Sequence, residues 1–233
     1  GDHHHRVAFS YVPGHLDHLR RERDDLHEVP LTQLAGDGAE DARTHRVAFL
    51  VDARSYFRAF YHAVLRAEKS VYILGWDIDS RVRLIREEKD PRPEYPVELG
   101  EFLNRVAKRK KVDIRILIWD PNLIYRFERE AFPQIRLGWK THRRVRFQLD
   151  DHHPFGSSIH QKIVVVDDRL AFCGGIDLTK NRWDTREHLP RDRRRKTPGG
   201  ELYSPFHDIQ MAVSGEAAAR LGALLVGLRQ PLQ

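Results

Sequence analysis

Short apolar runs rich in β-branched residues alternate with longer segments of helical periodicity along most of this 233-residue chain. Four of these runs predict buried strands, because each is too short for a typical helix: residues 46–51, 70–76, 112–119 and 159–166. Residues 53–69 and 97–111 repeat apolar side chains at helical spacing, which indicates amphipathic helices. Strands that alternate with helices predict an α/β fold around a largely buried sheet.

The remaining segments complete the predicted order of elements. Further strands are predicted at residues 80–85, 144–149, 170–173 and 206–213, and further helices at residues 121–138 and 215–228. We expect Asp52 to cap the helix that begins at Ala53, since a carboxylate can accept a free N–H group of the first turn. Residues 1–45 show no sustained period and predict an N-terminal extension, partly disordered, with at most a short helix at residues 15–27. Residues 46–233 form the predicted folded domain.

Charge and cysteine content restrict the class of protein. A net charge of +6 favours phosphate esters, nucleic acid or an anionic membrane surface as partners, although it is also compatible with a role in solubility alone. The basic run between Arg191 and Lys196 predicts a solvated loop or a phosphate-attracting rim. Cys173 is the single cysteine, so we expect no disulfide framework and a reducing compartment. No apolar run reaches the length of a membrane span, which predicts a soluble or peripheral membrane protein. Because Met211 is the single methionine, we expect the chain to be a piece of a longer protein.

The most informative stretch is the predicted strand at residues 159–166, which contains His160 and Lys162. Side chains alternate between the two faces of a strand, so these two project to the same side. An imidazole can attack phosphorus or transfer a proton near neutral pH, and an ammonium group supplies fixed positive charge. The pair therefore predicts a site for a phosphate ester. The alternative for His160 is a buried histidine that binds a backbone carbonyl.

Three residues after this pair extend the pattern. Asp167 ends the strand, where its carboxylate can accept backbone N–H groups of the following turn and fix a hairpin. Gly174 and Gly175 have no Cβ atom, so the backbone there can approach another segment or a ligand closely.

Together these residues form the pattern H-x-K-x4-D-x6-G-G, supplied by His160, Lys162, Asp167, Gly174 and Gly175. The pattern resembles the HKD motif of the phospholipase D superfamily. The similarity continues upstream at residues 73–77 and downstream at residues 176–178, 182–184 and 206–215, and it covers roughly residues 46–230. These segments are similar to the first half of eukaryotic-type phospholipases D and their bacterial relatives.

This resemblance implies a fold and a chemistry. The fold is a single phospholipase D-like lobe, an α/β domain whose mixed central sheet has helices on both faces. The reaction is hydrolysis or transphosphatidylation of phospholipid phosphodiesters through a phosphohistidine intermediate, with no metal or other cofactor. His160 is then the nucleophile or the acid and base, and Lys162 holds the phosphate.

The resemblance also assigns roles to three carboxylates. Asp167 is a structural member of the motif. Asp208 stands where the family places a carboxylate that binds the catalytic imidazole, which would hold the ring and stabilise its cation. Asp177 stands where the commonest family pattern has Asn, and we expect it to organise its loop, because a carboxylate would repel phosphate.

The family builds one active site from two such motifs, and this chain contains one. Either a second half lies C-terminal to residue 233, or two copies of the chain share a site. Three functions stay open: a phospholipid-cleaving lobe that needs a second half, a single-motif homodimeric nuclease, and a non-catalytic lobe that binds phosphate or contacts a membrane surface. Nucleic acid is the less favoured partner, since basic and aromatic residues do not alternate as they do in proteins that track a nucleic-acid strand.

Histidines and aromatics outside the motif have simpler interpretations. His152, His153 and Cys173 lack the paired spacing of zinc ligands, so we expect no metal site from them. Trp76 and Trp183 could line a lipid or base pocket, but aromatic residues of this kind more often belong to the core.

Overall fold

A computed structural model describes residues 26–27, 43–86, 94–119, 141–150 and 160–225 of the chain. Within them lie eight strands: β1 (Leu26–His27), β2 (Thr44–Val51), β3 (Ser70–Gly75), β4 (Asp113–Trp119), β5 (Val145–Asp150), β6 (Lys162–Val166), β7 (Leu170–Gly174) and β8 (Ile209–Gly215). The same residues contain three α-helices: α1 (Asp52–Arg66), α2 (Leu99–Lys110) and α3 (Glu216–Leu224). None of these helices is long and apolar enough to cross a bilayer.

The strands form one mixed sheet in the order β1-β2-β8-β7-β6-β3-β4-β5. Strands β3, β4 and β5 run parallel to one another, and every other pairing is antiparallel. Helix α2 lies in the connection between the parallel strands β3 and β4, as a crossover between parallel strands requires. The mixed sheet expected from the family resemblance is confirmed.

Helices cover both faces of the sheet. Strand β6 is buried along its whole length, and its side chains divide between two cores. Val164 and Val166 pack in the larger core with α1 and α2, whereas Ile163 and Val165 pack in the smaller core with α3. A strand buried on both faces has an uninterrupted run of apolar residues, which is why apolar and polar residues hardly alternate in β6. The predicted α/β fold with helices on both faces is therefore confirmed.

The register of the sheet brings the ends of several strands together along one side of the sheet, and we call this line of strand ends the site edge. The pairs that define it are Val51 with Ile209, Leu74 with Ile163, Lys162 with Gly174, and Gly174 with Gln210. Strands β2, β3 and β7 end at this edge, and β6 and β8 begin there. Residues far apart in sequence are thus placed side by side.

Two sequence predictions about elements are wrong. Residues 80–85 do not form a sheet strand; their alternation comes from a short extended pairing around the single bridge between Arg83 and Glu98. Asp52 does not cap α1, since the helix begins at Asp52 itself and has no side-chain cap hydrogen bond. The helix predicted at residues 121–138 lies outside the described residues.

The predicted boundary at residue 45 falls within a strand. Strand β2 begins at Thr44, and it pairs on its outer side with β1. The short helix predicted up to His27 is therefore wrong at Leu26 and His27, which are extended. The rest of the predicted extension lies outside the described residues.

Candidate active site

His160 and Lys162 lie at the site edge, where β6 begins. Lys162 is the first residue of β6 and is 5% exposed, whereas His160 precedes the strand and is exposed. The His160 ring lies edge-on to Trp76, with 4.5 Å between ring centroids, and the Nζ atom of Lys162 is 5.3 Å from the centre of the same indole. The two residues are therefore brought together, and the exposure of His160 excludes the alternative of a buried histidine.

Among the described residues, the Lys162 ammonium has two polar neighbours. Its Nζ atom lies 3.2 Å from Oδ2 of Asp177, and both side chains are buried, at 6% and 2% exposure. It also donates a hydrogen bond of 3.2 Å to the backbone oxygen of His160. An ammonium group has three N–H donors, so one remains for an oxygen of a bound phosphate.

Asp177 connects the pair to the end of β3. While Oδ2 faces Lys162, Oδ1 accepts hydrogen bonds from the backbone N–H groups of Trp76 at 3.0 Å and Asp77 at 3.4 Å. One carboxylate thus holds both the ammonium and the turn that presents Trp76. These contacts join the loop of Asp177 to the turn after β3, and neither they nor the ion pair with Lys162 was predicted; a role of Asp177 in organising its own loop stays a prediction.

The two motif glycines lie at the end of β7, where the start of β8 packs tightly against it. A Cβ atom on Gly174 would be 2.5 Å from the backbone oxygen of Ile209, and one on Gly175 would collide with the carboxylate of Asp208. The backbone of Gly175 donates a 3.2 Å hydrogen bond to the Ile209 oxygen. The predicted close approach therefore exists, and the approaching segment is residues 208–210.

Asp208 lies at the site edge beside Gly175 but makes its polar contacts elsewhere. Its Oδ1 atom accepts a 2.7 Å hydrogen bond from the N–H of Ile209, and its own N–H donates to Oδ1 of Asp52 at 3.3 Å. Within the described residues no hydrogen bond joins it to His160. Its role as a support for the catalytic imidazole stays a prediction.

Asp167 lies at the other end of β6, roughly 15 Å from Lys162 by the rise of a strand. Its carboxylate accepts hydrogen bonds of 2.8 Å each from the backbone N–H groups of Glu68, Lys69 and Ser70. These groups belong to the connection between α1 and β3, not to the hairpin turn that the sequence suggested. Asp167 therefore anchors a loop and does not reach the site edge.

Comparison with known proteins identifies a family for this chain. A family model described as Phospholipase D matches residues 63–224, most of the chain. The chain belongs to the phospholipase D family. Phospholipase D C of Dictyostelium discoideum is 30% identical over 199 residues, which are 72% of this chain and 12% of that protein. Phospholipase D alpha 3 of Arabidopsis thaliana is 28% identical over 243 residues, which are 86% of this chain and 28% of that protein. The chain thus spans less than a third of the length of these relatives.

One solved structure has a similar fold. NucT from Helicobacter pylori aligns with 79% of this chain and 95% of its own, with a TM-score of 0.52 and 12% sequence identity. At this identity the likeness supports the fold alone.

One loop of this phospholipase D lobe differs from the solvated basic loop predicted from the sequence. Arg195 is 1% exposed and forms an ion pair of 2.9 Å with Asp184, which is also buried. Arg194 is half exposed, but it pairs with Asp192 at 2.6 Å and lies 5.4 Å from the ring centre of Trp183, itself a core residue. The prediction is wrong for Arg195, and both charges are already neutralised by carboxylates.

The environment of Asp184 favours its ionised form. Burial opposes ionisation, but hydrogen bonds from the N–H of Phe206, the Arg195 guanidinium and the N–H of Thr185 together outweigh it, and the pKa of Asp184 lies below its usual value. A buried ionised carboxylate with several donors is a rigid anchor, and it holds the 184–206 loop against the site edge.

Sequence reasoning missed several residues of the site edge. Trp76 was expected more often in the core, as part of the predicted strand at residues 70–76, but it is 42% exposed and lies against His160. Asp52, His188 and His207 meet at the same edge, although Asp52 and His207 are 155 positions apart. No spacing rule connects residues so distant, so a single sequence could not reveal the group.

Proposed function

We propose that this chain is one lobe of a phospholipase D-type phosphodiesterase, which hydrolyses or transfers phospholipid head groups through a phosphohistidine formed on His160. One observation supports this above all others: the exposed His160 imidazole and the buried Lys162 ammonium lie against the same Trp76 indole, with its ring centre 4.5 Å from the imidazole centre and 5.3 Å from Nζ. The family membership of the chain and the names of its relatives agree with this chemistry.

The first step follows from the groups at the site edge. A ring nitrogen of His160 attacks phosphorus and forms the N–P bond, while the P–O bond to the leaving alcohol breaks. Lys162 binds a non-bridging phosphate oxygen through its remaining N–H and balances the developing negative charge. Trp76 limits the orientations of the imidazole because its indole lies against one edge of the ring.

The leaving alcohol needs a proton, and we assign its donor to a second lobe. The pattern H-x-K occurs once in this chain, at His160. A second histidine, from a downstream half or another copy of the chain, protonates the alcohol. It then activates water or an acceptor alcohol, which attacks the phosphohistidine and restores His160.

A phospholipid fits the surroundings of the site better than a polar diester. Two large apolar side chains are exposed at the site edge, Trp76 at 42% and Ile209 at 45%. An amphipathic indole beside an imidazole suits the boundary between a lipid head group and its chains. Two charges of the basic run at residues 191–196, those of Arg194 and Arg195, are already paired with carboxylates and are therefore less available to a polyanion.

The proposal is tested by choline release from phosphatidylcholine vesicles, with phosphatidylethanol formation in added ethanol as the transfer assay. We expect His160→Ala to reduce either activity by at least about 1,000-fold, since it removes the nucleophile. His45→Ala is the matched control, because His45 is an exposed histidine at the opposite end of β2. Equal turnover in the His160→Ala variant, or cleavage of a DNA diester in preference to phosphatidylcholine, would contradict the proposal.

Mass measurement in solution determines how the lobe is completed. A dimer should be active by itself, whereas a monomer should be inactive and still bind inorganic phosphate at Lys162. Titration of phosphate followed by the imidazole resonance of His160 measures that binding. The shift should be lost in Lys162→Met, and a Lys162→Met protein that binds phosphate as before would refute the site.

A further inference from the structure

A second cluster of chemically capable groups lies at the site edge, separate from His160 and Lys162. Asp52 is fully buried at the start of α1, and two histidines converge on its carboxylate. Nδ1 of His207 is 2.8 Å from Oδ1, and Nε2 of His188 is 3.2 Å from Oδ2. Three segments distant in sequence thus each contribute one donor atom to the same small volume.

The contact between His188 and Asp52 has the distance of an ion pair but not the geometry of a hydrogen bond. Oδ2 of Asp52 is buried and has no hydrogen-bond partner among the described residues, although Nε2 of His188 is 3.2 Å away. A buried carboxylate oxygen is costly without a partner. The two atoms are therefore close together, and Oδ2 still lacks a hydrogen-bond partner among the described residues.

His188 is oriented as metal-binding histidines are. Its other nitrogen, Nδ1, lies 3.2 Å from Oδ2 of Asp184. Histidines that bind metals usually donate their second N–H to a carboxylate, which sets the tautomer and leaves the lone pair on the ligating nitrogen. Asp184 is held in turn by Arg195 and by the N–H of Phe206, so this orientation is rigid.

From these contacts we infer that Asp52, His188 and His207 form a binding site for a divalent transition metal ion, with Zn²⁺ as the best match. Two imidazoles and one carboxylate suit Zn²⁺, whereas Mg²⁺ and Ca²⁺ prefer oxygen ligands alone. Ligands about 2.0–2.1 Å from a tetrahedral ion lie about 3.4 Å apart. The three candidate ligand atoms lie within 4.8 Å of one another, so small side-chain movements bring them to that spacing.

The site has an open side and a structural consequence. The side chain of His207 is 69% exposed and that of His188 is 30% exposed, so an ion can enter from solvent and keep water as a further ligand. A bound ion would join α1, the loop at His188 and the segment just before β8. It would therefore hold Asp208, which follows His207, in a fixed place beside Gly175.

Calorimetric titration of Zn²⁺ into the purified chain tests this inference, and it does not depend on enzymatic activity. Because the chain contains 14 histidines, the decisive quantity is the difference in Zn²⁺ binding between variants. His207→Ala removes a largely exposed side chain and should fold normally. It should lose one equivalent of Zn²⁺ or bind it at least tenfold more weakly.

Two further variants separate a metal site from a simple hydrogen-bonded cluster. His45→Ala removes an exposed histidine roughly 20 Å away and should bind Zn²⁺ as the unchanged chain does. Asp184→Asn keeps all three ligand residues but weakens the hold on His188 and on its loop, and should weaken binding about 10- to 100-fold at unchanged stoichiometry. Co²⁺ should give visible absorption bands of a four-coordinate ion that disappear in His207→Ala, and Mg²⁺ should produce no binding heat. Indistinguishable Zn²⁺ and Co²⁺ titrations of His207→Ala and the unchanged chain would overturn the inference.

Discussion

The two ends of β6 each hold a buried carboxylate, and the two carboxylates bind different kinds of group. Asp167, at the far end, accepts three backbone N–H groups of the connection before β3. Asp177, at the site edge, accepts two backbone N–H groups and also faces the Lys162 ammonium. The first fixes the position of the chain, whereas the second fixes the position of a charge.

This difference explains how one short motif has two functions. The strand between Lys162 and Asp167 is buried on both faces, so neither end can move without disturbing the core. Asp167 sets where β6 lies relative to β3, and β3 ends at Gly75, directly before Trp76, which touches His160. The anchor at one end therefore positions the chemistry at the other end, without contacting it.

The largest expected effect on stability comes from the Asp167 end. Asp167→Ala removes three hydrogen bonds to a charged acceptor and should lower the free energy of unfolding by about 3 kcal/mol. Urea denaturation measures this. Arg169→Ala in the same turn is the control, since its 3.6 Å pair with Glu68 is exposed and should contribute less than about 1 kcal/mol. Equal losses in the two variants would remove the distinction between anchor and surface charge.

A smaller effect is expected at the site edge, where the charge pair can be tested as a unit. Lys162→Met or Asp177→Asn alone leaves a buried polar group without its partner, and the double variant should lose about 2 kcal/mol less than the sum of the two. Denaturation of the three variants gives this coupling energy. The exposed pair of Arg83 and Glu98, at 2.8 Å, should show a coupling below about 1 kcal/mol. Additive losses at Lys162 and Asp177 would mean that the buried pair is not energetically coupled.

Sequence predicted the parts of this comparison that depend on local pattern. The apolar run of β6 indicated a buried strand, and the spacing of His160 and Lys162 placed both on one side. The resemblance carried by Gly174 and Gly175 indicated the correct family. Each of these inferences uses residues that are close together in the chain, where strand geometry leaves few alternatives.

The parts that sequence did not predict depend on register between distant segments. Asp177 meets Lys162 because β6 pairs with β7 and the loop after β7 returns over the end of β3. Asp52 looked like a helix cap from its neighbours, but tertiary contacts with His207 and Asp208 replaced that local hydrogen bond. Residues 80–85 alternate like a sheet strand, although in the structure they form only a short pairing around the bridge between Arg83 and Glu98. Local pattern cannot reveal which distant group will compete for a side chain.

The smallest expected effect concerns Asp192, a buried carboxylate whose partner Arg194 is half exposed. The hydrogen bond from the Arg194 guanidinium lowers the pKa of Asp192 below its usual value. Since the folded pKa is the lower one, the stabilisation is complete above the usual aspartate pKa of about 4 and is lost as the pH falls through the folded value. Melting temperatures between about pH 6 and about pH 2 should therefore fall less steeply for Asp192→Asn than for the unchanged chain, by an amount equivalent to less than about 1 kcal/mol. Arg194→Gln removes the donor and should give the same shallow profile. If Asp192→Asn and the unchanged chain lose stability in parallel, the pairing with Arg194 does not contribute to acid sensitivity.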